Sequence, residues 1–195
     1  METRNKLNRQ VRSIEAGFRT RDDAQEGPVI EGYFAVFNSD YEIWPGAVEQ
    51  VAPGAFLNSL GGDIRALADH DTRIVLGRTA AGTLTLREDD HGLYGVIKLN
   101  PEDQEAMNLY ARVKRGDVTQ CSFGFDIVAE ESIYNPDGSC KWIIRDVVLY
   151  EVSVVTFPAY SETSVQARKD DIKTIRSRRL AARKSALKER MQAWH

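Results

Sequence analysis

The heptapeptide 119–125, which reads TQCSFGF, constrains the fold more than any other stretch of this chain. Successive side chains of a β-strand point to opposite faces of the sheet. One face of this strand carries the apolar side chains of Cys121, Phe123 and Phe125. Ser122 and Gly124 share the other face, where glycine leaves space beside the hydroxyl. The pattern fits a nucleophilic serine with clearance for a substrate chain, or a core strand that turns one polar residue to water.

Size and composition indicate one globular domain with a tail. The chain has 195 residues, of which 42% are hydrophobic and 28% charged, as in ordinary soluble proteins. No apolar run approaches the roughly 18 residues of a membrane helix, and the polar segment 1–10 predicts that there is no signal peptide. Two cysteines do not make a disulfide framework, which favours a reducing, intracellular setting.

Charge is distributed unevenly along the chain. From Arg168 onward there are ten Lys/Arg and three Asp/Glu, a balance of +7, whereas residues 1–167 carry a balance of −10. We therefore expect a domain at 1–167 and a basic tail at 168–195, helical or disordered. The tail is interpreted either as a solvated arm or as a docking segment for an acidic scaffold or nucleic acid.

Short runs rich in β-branched and aromatic residues, separated by turn signals, predict a mainly β fold with inserted helices (α+β). Strands are predicted at 12–19, 29–37, 64–70, 74–78, 82–87, 93–99, 119–125, 127–133, 142–144 and 147–156, and polar turns at 22–28 and 135–138. The clearest helix is 101–115, which has acidic residues in its first turn and Gly116 at its end. A proline at a first helical turn also predicts a short helix at 53–57. We expect a closed or nearly closed sheet surrounded by helices.

A serine nucleophile needs a base, and the base needs a third group to orient it. The chain offers three histidines. His195 is the last residue, and His91 lies in a polar turn, where a solvated side chain is the expected role. His70 ends an apolar strand, and its position fits a catalytic base or a hydrogen-bonded structural histidine.

Glu151 is the first choice for the third group. It interrupts the apolar run 147–155, which predicts a strand buried on both faces. An unpaired carboxylate there would be very costly, so Glu151 needs a partner. That partner is an imidazolium in a triad or one of the many arginines in a salt bridge. Asp126 and Asp146 are weaker candidates because both sit at predicted strand ends.

Other chemistries find less support. Gln120 replaces the first glycine of the Gly-x-Ser-x-Gly elbow of α/β-hydrolases. The segments 69–71 and 89–91 offer mixed nitrogen and oxygen ligands, but no His-Glu-x-x-His or Cys-x-x-Cys motif accompanies them, and no metal or cofactor is predicted. Cys121 faces away from Ser122, so we expect a buried, inert thiol.

Taken in order, several short motifs resemble those of the caudovirus prohead proteases, the serine proteases that mature the heads of tailed phages. They span about residues 12–167. The matching segments are 30–38 (IEGYFAVFN), 51–56 (VAPGAF), 67–71 (LADHD), 75–78 (VLGR), 82–84, 92–93, 115–117, 121–125 (CSFGF) and 151–159 (EVSVVTFPA). Cys121 departs from the pattern, since a small or apolar residue such as methionine is common at its position.

The resemblance implies a fold similar to the herpesvirus assembly proteases, an antiparallel β-barrel surrounded by helices. It implies Ser122 as nucleophile and His70 as base, because the family's serine and histidine motifs fall there. Glu151 matches the acidic position of the last motif. In the herpesvirus proteins the third group is a histidine, so Glu151 differs from them at this position.

The function that this resemblance implies is that of a serine endopeptidase. It would cleave scaffold, or the scaffold segment of the major capsid protein, and itself, inside the prohead in the host cytoplasm. A homo-oligomer is expected, with no membrane association and with nucleic-acid binding left open. The alternative is a non-enzymatic head-assembly factor with the same fold and a basic docking tail.

Overall fold

The computed structural model describes residues 10–15, 17–23 and 27–157, together with residues 168, 169, 172, 173, 177, 181 and 184. Within the described residues up to 157 the chain forms eleven strands and one α-helix. The strands are β1 (Gln10–Glu15), β2 (Arg19–Asp23), β3 (Gly27–Val36), β4 (Tyr41–Trp44), β5 (Ala47–Val51), β6 (Arg65–Ala68), β7 (Asp71–Arg78), β8 (Leu84–Glu88), β9 (Gly92–Lys98), β10 (Gln120–Tyr134) and β11 (Cys140–Val155). The helix α1 is Gln104–Arg115, and a short 3₁₀ turn covers Thr79–Ala81.

The long hairpin of β10 and β11 organises the larger sheet. Its turn at 135–138 was predicted and is closed by a hydrogen bond from Gly138 N to Asn135 O, 3.1 Å. On one side, β1 pairs antiparallel with β10. On the other side, β11 has two parallel neighbours, β5 beside its first half and β6 beside its second half. The order is β1-β10-β11-β5-β4, with the β6–β7 hairpin attached to the end of β11.

A second, antiparallel sheet has the order β2-β3-β9-β8. Apolar side chains of both sheets and of α1 form a common core, whose largest buried members include Phe34, Phe56, Phe123, Phe125, Ile30, Ile97 and Ile144. The helix begins after Asp103, whose carboxylate accepts hydrogen bonds from the N–H groups of residues 105 and 106, and ends at Gly116. Its predicted apolar stripe, Ala106, Leu109, Tyr110 and Val113, is buried.

The mainly β architecture with one long helix is confirmed, but the predicted short helix at 53–57 is wrong. That segment forms turns, because Gly54 has a positive φ of 88°, which interrupts a right-handed helix. Its backbone hydrogen bonds, from Ala55 N to Ala52 O and from Leu57 N to Gly54 O, span three residues as in turns.

Three other expectations change. Residues 22, 23, 27 and 28 of the expected turn at 22–28 lie in the paired strands β2 and β3, and residues 24–26 lie outside the described residues. The strand expected at 64–70 ends at Ala68. Among the described residues the strands form two sheets, one of them with parallel pairs, and no closed barrel. Both parallel pairs involve the long strand β11, which has β5 beside its first half and β6 beside its second half.

No helix in the described part of the chain is long and apolar enough to cross a membrane. The chain separates into units at Met1–Tyr160 and Ser161–His195. Most of the predicted basic tail lies outside the described residues. Those of its residues that are described, beginning with Arg168 and Lys169, have helical conformation.

Candidate active site

The strand that carries Ser122 places its apolar face as the alternation predicts. Cys121, Phe123 and Phe125 are buried, with at most 1% of their surface exposed. The expectation of an open hydroxyl is wrong, because Ser122 is itself fully buried. Strand β1 lies along β10 with Ser13 opposite Ser122, and Ser122 Oγ donates a hydrogen bond of 2.8 Å to the carbonyl oxygen of Arg12.

The space beside Gly124 is occupied by the carboxylate of Glu151. A Cβ atom built on Gly124 would overlap Oε1 of Glu151 and lie only 3.0 Å from its carboxyl carbon. Gly124 and Glu151 are paired across the β10–β11 ladder. The predicted clearance for a substrate chain is therefore taken by the side chain of Glu151, which bends back over the glycine.

His70 is presented by a tight turn rather than by the strand expected from the sequence. Asp69 and His70 form the two-residue connection between β6 and β7, with φ values of 47° and 60°. A hairpin of this length favours two positive φ angles, which non-glycine residues adopt at some cost. The carboxylate of Asp69 holds the turn against the end of β11 by accepting hydrogen bonds from Thr156 N, 2.6 Å, and Thr156 Oγ1, 3.1 Å.

The imidazole of His70 meets the carboxylate of Glu151. Nδ1 of His70 lies 2.7 Å from Oε1 of Glu151, and Ser153 Oγ donates to Oε2 at 2.6 Å. Glu151 is 3% exposed, and no arginine among the described residues joins it. An ionised carboxylate only accepts hydrogen bonds, so in a neutral imidazole paired with one through Nδ1, Nδ1 is the donor and Nε2 is the acceptor. Nε2 is buried and has no hydrogen-bond partner among the described residues.

Ser122 lies on the same face of the sheet as this pair. Ser122 is paired with Ser153 across the β10–β11 ladder, and Glu151 is two residues before Ser153 on β11. Side chains that are paired directly or two residues apart share one face. The hydroxyl of Ser122 is turned toward β1, where it donates to the carbonyl oxygen of Arg12.

The other titratable candidates have different partners. His91 is exposed and packs edge-on against the ring of Tyr33. Asp71, beside His70, binds Arg73, whose hydrogen bonds lower the pKa of Asp71 to about 2. Among the weaker candidates, Asp126 accepts from the hydroxyl of Tyr150 and Asp146 from the amide of Asn58. Burial raises the pKa of the Cys121 thiol, as expected of an inert cysteine. His195 lies outside the described residues.

In the acidic segments considered as metal ligands, the carboxylates of Asp69 and Asp89 accept hydrogen bonds from backbone N–H groups and hydroxyls. The carboxylate of Asp89 accepts from the N–H groups of His91 and Gly92 and from the hydroxyl of Tyr33. Asp69 is occupied with Thr156. In the parts of the chain that the structure describes, no group of three His, Cys, Asp or Glu residues could hold a metal ion.

Sequence reasoning missed two residues that position the histidine–carboxylate pair, Ser153 and Asp69. Strand alternation could have identified Ser153, because residues 151 and 153 of one strand share a face. Nothing in the sequence indicates that Asp69 reaches Thr156, since 87 residues separate them.

A histidine ring held by a buried carboxylate, on the face that carries a serine, is the arrangement that serine hydrolases use. The chain belongs to the caudovirus prohead serine protease family, whose model matches residues 15–178. It is 34% identical over 164 residues to the prohead protease of Enterobacteria phage HK97. The alignment covers 79% of this chain and 66% of that relative, so the chain spans just under two thirds of its length. No solved structure gives a significant match.

Proposed function

We propose that this protein is a serine endopeptidase of phage head maturation, with Ser122 as nucleophile, His70 as base and Glu151 as the group that orients the base. The observation that carries the proposal is the buried Nε2 of His70, which has no hydrogen-bond partner within the described ranges and belongs to a ring that contacts Glu151 on the face that carries Ser122. Family membership makes peptide-bond hydrolysis the reaction to test first.

The proposed reaction begins when the Ser122 hydroxyl turns from the Arg12 carbonyl to Nε2 of His70. Oγ attacks the substrate carbonyl carbon while Nε2 takes the proton, and the imidazolium that forms is stabilised by Glu151. The carbon–nitrogen bond breaks as His70 gives the proton to the leaving amine, which leaves an ester on Ser122. Water, deprotonated by the same ring, releases the acid. Acid–base transfer of this kind contributes about 10² to 10⁴ in rate.

The proposed substrates are scaffold protein or the scaffold segment of the major capsid protein, and the chain itself, inside the prohead in the host cytoplasm. The relative from phage HK97 is named a prohead protease, which supports this setting. A homo-oligomer is part of the same proposal. The mainly β architecture is compatible with a fold like that of the herpesvirus assembly proteases, which stays a prediction.

The test is cleavage of the phage's own capsid protein, followed by mass spectrometry of the products. Ser122→Ala should abolish cleavage while leaving the fold intact. Ser153→Ala is the matched control, because it removes a buried hydroxyl from the neighbouring strand on the same face. It should lower the rate without abolishing cleavage, since it loosens only one oxygen of Glu151. Cleavage by Ser122→Ala at the wild-type rate would refute the assignment.

The second candidate is an assembly factor without activity. It is favoured by the burial of Ser122 and by the hydrogen bond of its hydroxyl to the Arg12 carbonyl. A fluorophosphonate probe separates the two functions, because an enzyme forms an adduct at Ser122 and a purely structural protein does not.

A further inference from the structure

Strand β1 lies where it shields the proposed nucleophile. It pairs antiparallel with the outer edge of β10 from Gln10, opposite Phe125, to Glu15, opposite Gln120. The family match begins only at residue 15, so nearly all of β1 precedes it. An extended peptide that adds to a sheet edge is a common way for a protein to bind a peptide segment.

The backbone of β1 meets Ser122 at one peptide group. Ser122 Oγ donates to the carbonyl oxygen of Arg12, which belongs to the peptide bond between Arg12 and Ser13. A substrate strand in the same register would bring the carbonyl of its corresponding residue to the hydroxyl. The residue at the Arg12 position would then contribute the acyl group.

The side chain of Arg12 enters an acidic pocket on the other face of the sheet. Its guanidinium forms a two-pronged ion pair with Glu49 of β5, in which Nε faces Oε1 and Nη2 lies 2.9 Å from Oε2. The guanidinium carbon lies 5.7 Å from the ring centre of Phe125 and 6.0 Å from that of Tyr41. These contacts fit the planar, cationic head of an arginine.

Burial makes this pocket selective for charge. Arg12 is 5% exposed and Glu49 only 2% exposed. A buried ion pair adds little stability compared with apolar side chains of similar volume, but replacing its cation with a neutral side chain removes the charge-assisted hydrogen bonds that Arg12 donates to Glu49. Glu49 belongs to the body of the sheet, through the parallel pairing of β5 with β11. The pocket therefore discriminates between side chains that a strand beside β10 would insert.

We propose that Glu49, with Tyr41 and Phe125, forms the subsite for a basic side chain of the substrate, and that β1 occupies this subsite as a substrate-like strand. The inference rests on the proposed protease function. It assigns the substrate class as peptides with arginine or lysine on the acyl side of the cleaved bond. Ser122 would form its ester with the carbonyl carbon of that basic residue, and the next residue would leave as a free amine that carries the proton from His70.

The first test compares two peptides spanning residues 8–17, one with arginine and one with citrulline at position 12. Citrulline keeps the shape of arginine and removes the charge. The arginine side chain makes charge-assisted hydrogen bonds to the carboxylate of Glu49, and citrulline does not. The wild-type chain should therefore cleave the arginine peptide with a kcat/KM about 10- to 100-fold higher than that of the citrulline peptide. Equal kcat/KM for the two peptides would overturn the subsite.

The role of Glu49 is tested in the double variant Arg12→Gln/Glu49→Gln, which removes both charges of the pair together. Its arginine-to-citrulline ratio should fall to near one. A ratio that stays at the wild-type value would show that Glu49 does not select the substrate. If neither peptide is cleaved and no fluorophosphonate adduct forms, the protease function itself fails. If a fluorophosphonate adduct forms and both peptides are cleaved with equal kcat/KM, only the subsite proposal fails and the protease function stands.

The occupancy of the subsite by β1 is tested by the rate of fluorophosphonate labelling of the full chain. Arg12→Gln weakens the hold on β1 and should label Ser122 at least about 10-fold faster than the wild type, since one charge-assisted pair is lost. Arg21→Gln is the control, because Arg21 lies on β2 in the other sheet and its pair with Glu31 is long, 3.9 Å, and exposed. Equal labelling rates for the two variants would contradict occupancy by β1.

Discussion

The substitution Gly124→Ala tests how the histidine–carboxylate pair is built. The added Cβ would overlap Oε1 of Glu151 and lie 3.0 and 3.1 Å from its Cδ and Cγ atoms. Glu151 Oε1 is also the atom that binds His70 Nδ1, so the methyl group must displace the carboxylate from the ring. Overpacking of this kind costs about 1–3 kcal/mol of stability. Loss of the orienting group in a triad lowers kcat by up to about 10⁴-fold, so we expect a loss of about 10²- to 10⁴-fold.

The assay is capsid-protein cleavage, corrected for the folded fraction by thermal melting of each variant. Gly95→Ala is the matched control, because Gly95 is also within a strand and a Cβ there would overlap the ring of Phe34 in the core. It should lower the melting temperature by a similar amount and leave the specific activity of the folded fraction unchanged. Wild-type specific activity in folded Gly124→Ala would refute the idea that glycine makes room for the catalytic carboxylate.

Three further results are expected. Glu151→Gln should lower kcat by about 10⁴-fold, because the amide can donate to Nδ1 of His70 and so favours the wrong tautomer; unchanged specific activity with lower stability would reduce Glu151 to a structural role. Asp69→Ala should lower both stability, by about 1–3 kcal/mol, and specific activity, because Thr156 no longer anchors the turn that carries His70; denaturant unfolding and cleavage rates measure both, and an unchanged kcat would show that the turn holds its shape alone. Cys121 should react with a thiol reagent only after unfolding, since burial raises the pKa of its thiol; rapid labelling of this residue in the native chain would contradict its burial.

Local patterns predicted the parts of the fold that depend on local interactions. Period-two alternation identified the core face of β10, and the acidic first turn with a terminal glycine identified α1. The short helix at 53–57 was wrong because Gly54 adopts a left-handed conformation and the segment forms turns. The N–H groups of Gly54 and Phe56 bind Glu88, more than thirty positions away, and local propensity does not account for such a contact.

The candidate residues of the site were found by residue type and family motif, but their surroundings were not. The left-handed turn at His70 depends on a contact between Asp69 and the end of β11. The space beside Gly124 depends on the register between β10 and β11, which brings Glu151 opposite the glycine. The covering of Ser122 depends on the pairing of β1, and no local pattern specifies which strand will lie beside another.

The most direct measurement of the central claim is peptide mapping of the full chain after reaction with a fluorophosphonate. The account predicts one adduct, on Ser122, in the wild-type chain, and a labelling rate reduced by about 10²-fold or more in His70→Gln, since acid–base transfer is lost. An adduct on Ser153 instead, or capsid cleavage by a chain that carries no adduct-forming serine, would contradict it.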